Sequence, residues 1–138
     1  MIVPNLMVTD MARSLGFYCD VLVMTLTAGV TADRQMVMDP ADPAIVFAVL
    51  DWNGAQLMLQ TVASLAAELP VFDPQQAPTP AGTIYFRDLE PDAVVGRVPA
   101  DRIVKGPVQQ WYGMKEVYLR DPDGHIVCLG TPEGPPPA

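Results

Sequence analysis

WYGMKEVYLRDPDGHIVCLG, residues Trp111 to Gly130, is the stretch on which the fold turns. Apolar and polar side chains alternate through Met114, Lys115, Glu116, Val117, Tyr118, Leu119 and Arg120, the pattern that sends neighbours to opposite faces of a sheet. The chain turns at Asp121-Pro122-Asp123-Gly124 and resumes as a strand over His125 to Leu129. Pro122 presets φ at the first central turn position, Gly124 supplies the positive φ that closes the loop, and the aspartates can hydrogen-bond the turn backbone. This segment is a β-hairpin.

Working outward, a second hairpin is written over Ala44 to Trp52, Asn53-Gly54 and Ala55 to Gln60, because Asn-Gly suits the type I′ turn that matches strand twist. Ile2 to Val8 predicts a strand with Pro4 near its start or at a sheet edge. Thr9 or Asp10 caps a helix whose stripe, Met11, Leu15, Tyr18 and Leu22, recurs at helical steps and ends near Val21 to Val23. Met24 to Ala28 predicts a second strand, and Gly29 to Pro43 a long excursion with extended structure near Met36. Thr61 to Leu69 predicts a helix stopped by Pro70, and the proline-rich Val71 to Ala81 a connector. Beyond it come a strand at Gly82 to Phe86, Asp88 as a helix cap, a helix over Pro91 to Val98, and an irregular strand over Arg102 to Tyr112 broken by Gly106-Pro107. The tail from residue 131 to 138 has nothing to bury and is expected to fray.

Length and composition bound the rest. A chain of 138 residues with 50% apolar content has the makings of a single domain, with a first module at about 1–60, a connector at 61–81 and a second module at 82–130. A net charge of −8 with eight scattered Lys and Arg argues against nucleic acid, whose phosphates need clustered cations. It suits a cationic ligand, or simple solubility. No apolar run approaches membrane-span length and no basic signal region precedes the first strand, so no membrane partner and a cytoplasmic setting are expected. Cys19 and Cys128 are read as free thiols.

The element order is strand, helix, three strands, stated twice, and residues repeat with it. Leu6 to Met11 (LMVTDM) matches Ile84 to Leu89 (IYFRDL), and Gly54 to Leu59 (GAQLML) matches Gly124 to Leu129 (GHIVCL). The predicted fold is therefore α+β, two βαβββ modules forming a curved mixed sheet around a cleft. MVTDMARSLGFYCDVL at Met7 to Leu22 and YGMKEVYLRDPDGH at Tyr112 to His125 resemble the vicinal oxygen chelate superfamily of glyoxalases, extradiol dioxygenases and bleomycin-resistance proteins. The second stretch is most similar to the bleomycin-resistance branch.

That resemblance implies where a metal would sit in the catalytic relatives: seven residues before each helix-side Asp and four after each hairpin glycine. Those positions hold Val3, Ala81, Met58 and Cys128 here, a poor set for a divalent ion, so no metal and no cofactor are expected. His125 and Cys128 lie three apart on a strand and point to opposite faces, which leaves His125 a post-turn surface residue. Glu116 is either a general base, if desolvated, or a carboxylate hydrogen-bonded near the turn, and no second catalytic carboxylate accompanies it.

What the cleft retains is apolar and aromatic. If Met58 and Cys128 point inward, period two and hairpin pairing bring Gln60, Phe47 and Val49 to the same face. Trp52 at the hairpin tip, Trp111 and Tyr112 near the mouth, and Tyr85, Met38 and Met114 complete the expected ligand-binding set, whose rings could stack on a planar group or receive a cation. Each also has a structural reading, as a turn cover, a core residue or packing filler. The resulting expectation is a non-enzymatic, metal-independent homodimer that sequesters a planar, cationic antibiotic of the bleomycin, mitomycin or quinoxaline type. The alternatives are a glyoxalase-like lyase or dioxygenase, and a metabolite-binding module with no resistance role.

Overall fold

Asp121 organises the closing hairpin of the computed structural model, which describes residues 1–135. Its Oδ1 accepts from the amides of Asp123 at 2.9 Å and His125 at 2.8 Å, while Gly124 takes φ 86°. The chain divides into two units, Met1–Pro78 and Thr79 onward.

In the first unit the strands are β1 (Asn5–Val8), β2 (Thr25–Thr31), β3 (Met36–Val37), β4 (Ile45–Trp52) and β5 (Ala55–Thr61), in sheet order β1-β5-β4-β2-β3. β1 runs parallel to β5 and the other pairs are antiparallel. Asp10 caps helix α1 (Met11–Leu15) by accepting from the Arg13 amide at 3.2 Å, and the helix widens into a π turn over Gly16–Val21. The predicted stripe is real: Met11, Leu15, Tyr18 and Leu22 are all buried, with Val8, Ala48, Leu50, Leu57 and Leu59. At the β4–β5 turn Asn53 and Gly54 adopt φ 49° and 79°, as the type I′ reading requires.

Helix α2 (Val62–Glu68), capped by Thr61, buries Val62 and Leu65 with Met7 and the partly buried Phe72. The excursion expected from Gly29 begins later, because β2 continues to Thr31 against β4, with Val30 opposite Phe47 and Thr31 opposite Ile45. Gly29 permits this. A Cβ there would stand 2.3 Å from the Val37 carbonyl of β3.

The second unit holds β6 (Thr83–Arg87), α3 (Pro91–Val95), β7 (Ile103–Gln109), β8 (Met114–Arg120) and β9 (Ile126–Pro132), in sheet order β6-β9-β8-β7 with β6 parallel to β9. Asp88 is not the helix cap. It takes φ 72° and donates its amide to the Gly130 carbonyl, while Glu90 caps α3 by accepting from the Asp92 amide at 3.3 Å. Helix α3 stops at Val95, three residues short of the predicted end. The expected fraying from residue 131 is also corrected: Thr131 pairs with Lys115, Pro132 with Met114, and the Glu133 amide donates to Gly113. β8 begins early enough to give that end of β9 a partner. Residues 136–138 lie outside the described residues. Among the described residues no helix is long and apolar enough to cross a membrane.

Candidate functional site

The closing hairpin sets the register of the second sheet. Glu116 stands opposite Gly130 and Tyr118 opposite Cys128, and parallel β6 places Tyr85 beside Cys128 and Arg87 beside Gly130. Alternation puts Phe86, Val117, Leu119, Val127 and Leu129 on the other face, buried with Val94 of α3, where Lys115 ion-pairs with Asp92 and, at 3.8 Å, Glu90. The face turned away from α3 thus carries Tyr85, Arg87, Glu116, Tyr118 and Cys128.

Glu116 is the centre of that face. It is 1% exposed, and its carboxylate accepts from the Tyr85 hydroxyl at 2.8 Å, from Tyr112 at 2.6 Å and from Tyr118 at 3.1 Å. Burial opposes the charge, but the hydrogen bonds from Tyr112, Tyr85, Tyr118 and Gln110 outweigh it and hold the carboxyl below its ordinary range. The phenols respond in the opposite sense. Burial, then the Glu116 hydrogen bond, raises Tyr85. Tyr118 is raised by burial first and by its contacts with Cys128 and Glu116 after it. For Tyr112 the hydrogen bond to Glu116 comes first. Burial pushes the Cys128 thiol up to about 11.

A glycine makes the cluster possible. The Tyr85 side chain crosses β9 over Gly130 so closely that a Cβ there would lie 2.0 Å from the Tyr85 hydroxyl. Any side chain at 130 would push the phenol off Glu116. Around the cluster are exposed aromatic and cationic groups: Tyr85 is 39% exposed, Arg87 stands 5.5 Å from its ring centroid, and Trp111, 82% exposed, meets Tyr112 edge to face at 5.3 Å.

Of the residues anticipated from sequence, Tyr85, Tyr112 and Cys128 meet here, with Trp111 against Tyr112 and the half-buried Met114 at the start of β8. The others belong to the first unit. Phe47 lies opposite Gln60 and Val49 opposite Met58, as hairpin pairing predicted. Gln60 is committed to the fold, donating to Ser64 at 3.0 Å and Glu68 at 3.1 Å and accepting from Asn5 at 2.9 Å. Trp52 is half-buried opposite Ala55, and Met38, 57% exposed, follows β3. His125 is half-buried after the turn.

Glu116 is indeed hydrogen-bonded, but by phenols in mid-strand and not by the turn. Tyr118, Gln110 and Gly130 were missed. Counting residues back from the DPDG turn pairs Tyr118 with Cys128 and Glu116 with Gly130, so two of the three carried a readable signal.

The family model described as Glyoxalase/Bleomycin resistance protein/Dioxygenase superfamily matches residues 2–129. The chain belongs to this superfamily. Solved structures share its fold. A protein of unknown function from Agrobacterium tumefaciens str. C58 is 21% identical, with 95% of this chain and 92% of that one covered at TM-score 0.71. TioX from Micromonospora sp. ML1 is 20% identical, with 94% and 96% covered at TM-score 0.64. A glyoxalase/bleomycin resistance protein/dioxygenase from Nocardioides is 17% identical, with 100% and 87% covered at TM-score 0.67. No curated protein matches.

The superfamily contains metalloenzymes, and the residues present do not fit their ion. Val3 and Ala81 offer no donor, Met58 offers a thioether, and Cys128 a buried thiol whose pKa burial pushes up to about 11. Among the described residues, no three His, Cys, Asp or Glu side chains are grouped to hold a metal.

Proposed function

We propose that this superfamily member is a metal-independent binding protein, not an enzyme, and that it sequesters a planar, cationic small molecule of the bleomycin, mitomycin or quinoxaline antibiotic type. The observation that carries the reading is the buried Glu116 carboxylate, held charged beneath the phenols of Tyr85, Tyr112 and Tyr118 on the sheet face that α3 leaves uncovered. A carboxylate held below its ordinary range is a weak general base, so the same geometry argues against proton abstraction by Glu116. It does suit recognition. Negative charge behind aromatic rings favours a cationic aromatic partner, and Trp111 adds a large exposed ring. In this reading Met114, at the start of β8, contributes apolar contact beside the phenols, and the chain works as a cytoplasmic homodimer.

The test is a tryptophan-fluorescence titration with bleomycin, mitomycin and a quinoxaline peptide antibiotic, with elemental analysis of the purified protein. Saturable quenching by at least one drug, at one equivalent per chain, is the expected result. Absence of quenching by all of them removes the resistance reading, and stoichiometric nickel, zinc, iron or manganese would restore a superfamily lyase or dioxygenase.

A further inference from the structure

Tyr85 and Arg87 lie two apart on β6 and so share a face, and the Arg87 guanidinium stands 5.5 Å from the Tyr85 ring centroid, within the range of a cation–π contact. The two partners are held very differently. The Tyr85 ring is anchored, its hydroxyl bound to Glu116 at 2.8 Å and lodged over Gly130. Arg87 is exposed and makes no ion pair among the described residues, so its side chain can leave at the cost of the ring contact alone. Donating to a carboxylate also enriches the phenol ring in electron density, which strengthens its attraction for a cation.

We propose that the Tyr85 ring is a cation-receiving platform whose resident occupant is the chain's own Arg87 guanidinium, displaced when a planar, delocalised cation binds. The inference rests on the binding reading above and adds a specificity residue to it. A guanidinium is itself a planar cation that stacks on aromatic faces, so Arg87 stands in for the kind of ligand the platform takes. A larger fused-ring cation covers more of the ring and wins. A neutral or anionic aromatic molecule gains nothing from the exchange.

Proflavine, a planar aminoacridine cation, is a suitable probe, read by fluorescence polarisation against the full chain. Arg87→Ala removes the competitor and is expected to tighten proflavine binding roughly two- to fivefold, the range of one exposed cation–π contact. Arg13→Ala removes the same charge from an exposed position in the first unit and should leave the affinity near that of the parent chain. In a Tyr85→Leu background the gain from Arg87→Ala should vanish. Equal tightening by Arg13→Ala, or none by Arg87→Ala, overturns the proposal while the binding reading stands. Should neither proflavine nor any of the antibiotics bind the parent chain, the binding reading falls and this inference with it. If Tyr85→Leu fails to fold, the comparison of the two arginine variants still decides.

Discussion

A single carboxylate sets the properties of the second sheet's open face, and its removal should be costly. Glu116→Gln places an amide N–H₂ among phenols that all donate, so one or more hydroxyls lose their acceptor in a buried site. We expect a loss of about 1.5–3 kcal/mol, the range for hydrogen bonds to a charged group, measured by urea unfolding. The pH dependence has a definite sign. The folded carboxyl titrates below its ordinary value of 4.5, so its contribution is fully present above that value and is lost as pH falls below it. Urea midpoints of the parent chain should therefore drop below pH 4.5 more steeply than those of Glu116→Gln. Gly130→Ala drives a Cβ into the Tyr85 hydroxyl and should cost about 1–3 kcal/mol, read in the same assay. Cysteine chemistry offers a separate check. Cys128 is buried and pushed up to about 11, so in the native chain Ellman's reagent should label the half-exposed Cys19 first and reach Cys128 only on unfolding.

At the level of elements, the hairpin turns were the most legible features. Asn53-Gly54 and DPDG specify their backbones through φ, a local property that a few residues fully express. The ends of elements were less so. Asp88 has the chemistry of a cap, yet its amide is taken by the Gly130 carbonyl and the helix starts later, at Pro91 behind a Glu90 cap. β2 and β9 likewise run past their predicted limits because a neighbouring strand is there to receive their hydrogen bonds. Asp121→Ala tests how far the closing turn depends on one side chain. It leaves the Asp123 and His125 amides without their acceptor and should destabilise the chain by about 1–3 kcal/mol, seen as a lower thermal midpoint.

For the whole molecule, the net charge of −8 acts at a distance that no single contact reaches. If the ligand is cationic, its association with the chain should slow as salt is raised from ~10 mM to ~1 M, over which the screening length shrinks about tenfold. Stopped-flow proflavine binding measures this, and a rate indifferent to salt would remove steering from the account. Sedimentation equilibrium on the same preparation tests the proposed homodimer, which should weigh twice the 14.9 kDa chain.

The sequence by itself determined the superfamily, the repeated strand and helix order and both hairpins, because each depends on local periodicity, turn chemistry or side-chain type. Only the tertiary structure decided what Glu116 is for. Its partners come from β6, from the Gln110 to Tyr112 segment and from β8 itself, and the parallel β6–β9 pairing that brings Tyr85 over Gly130 joins residues 43 apart in number. Alternation predicts that a side chain faces one way or the other. Which side chains from distant strands meet there is set by long-range register, and register is a property of the assembled sheet.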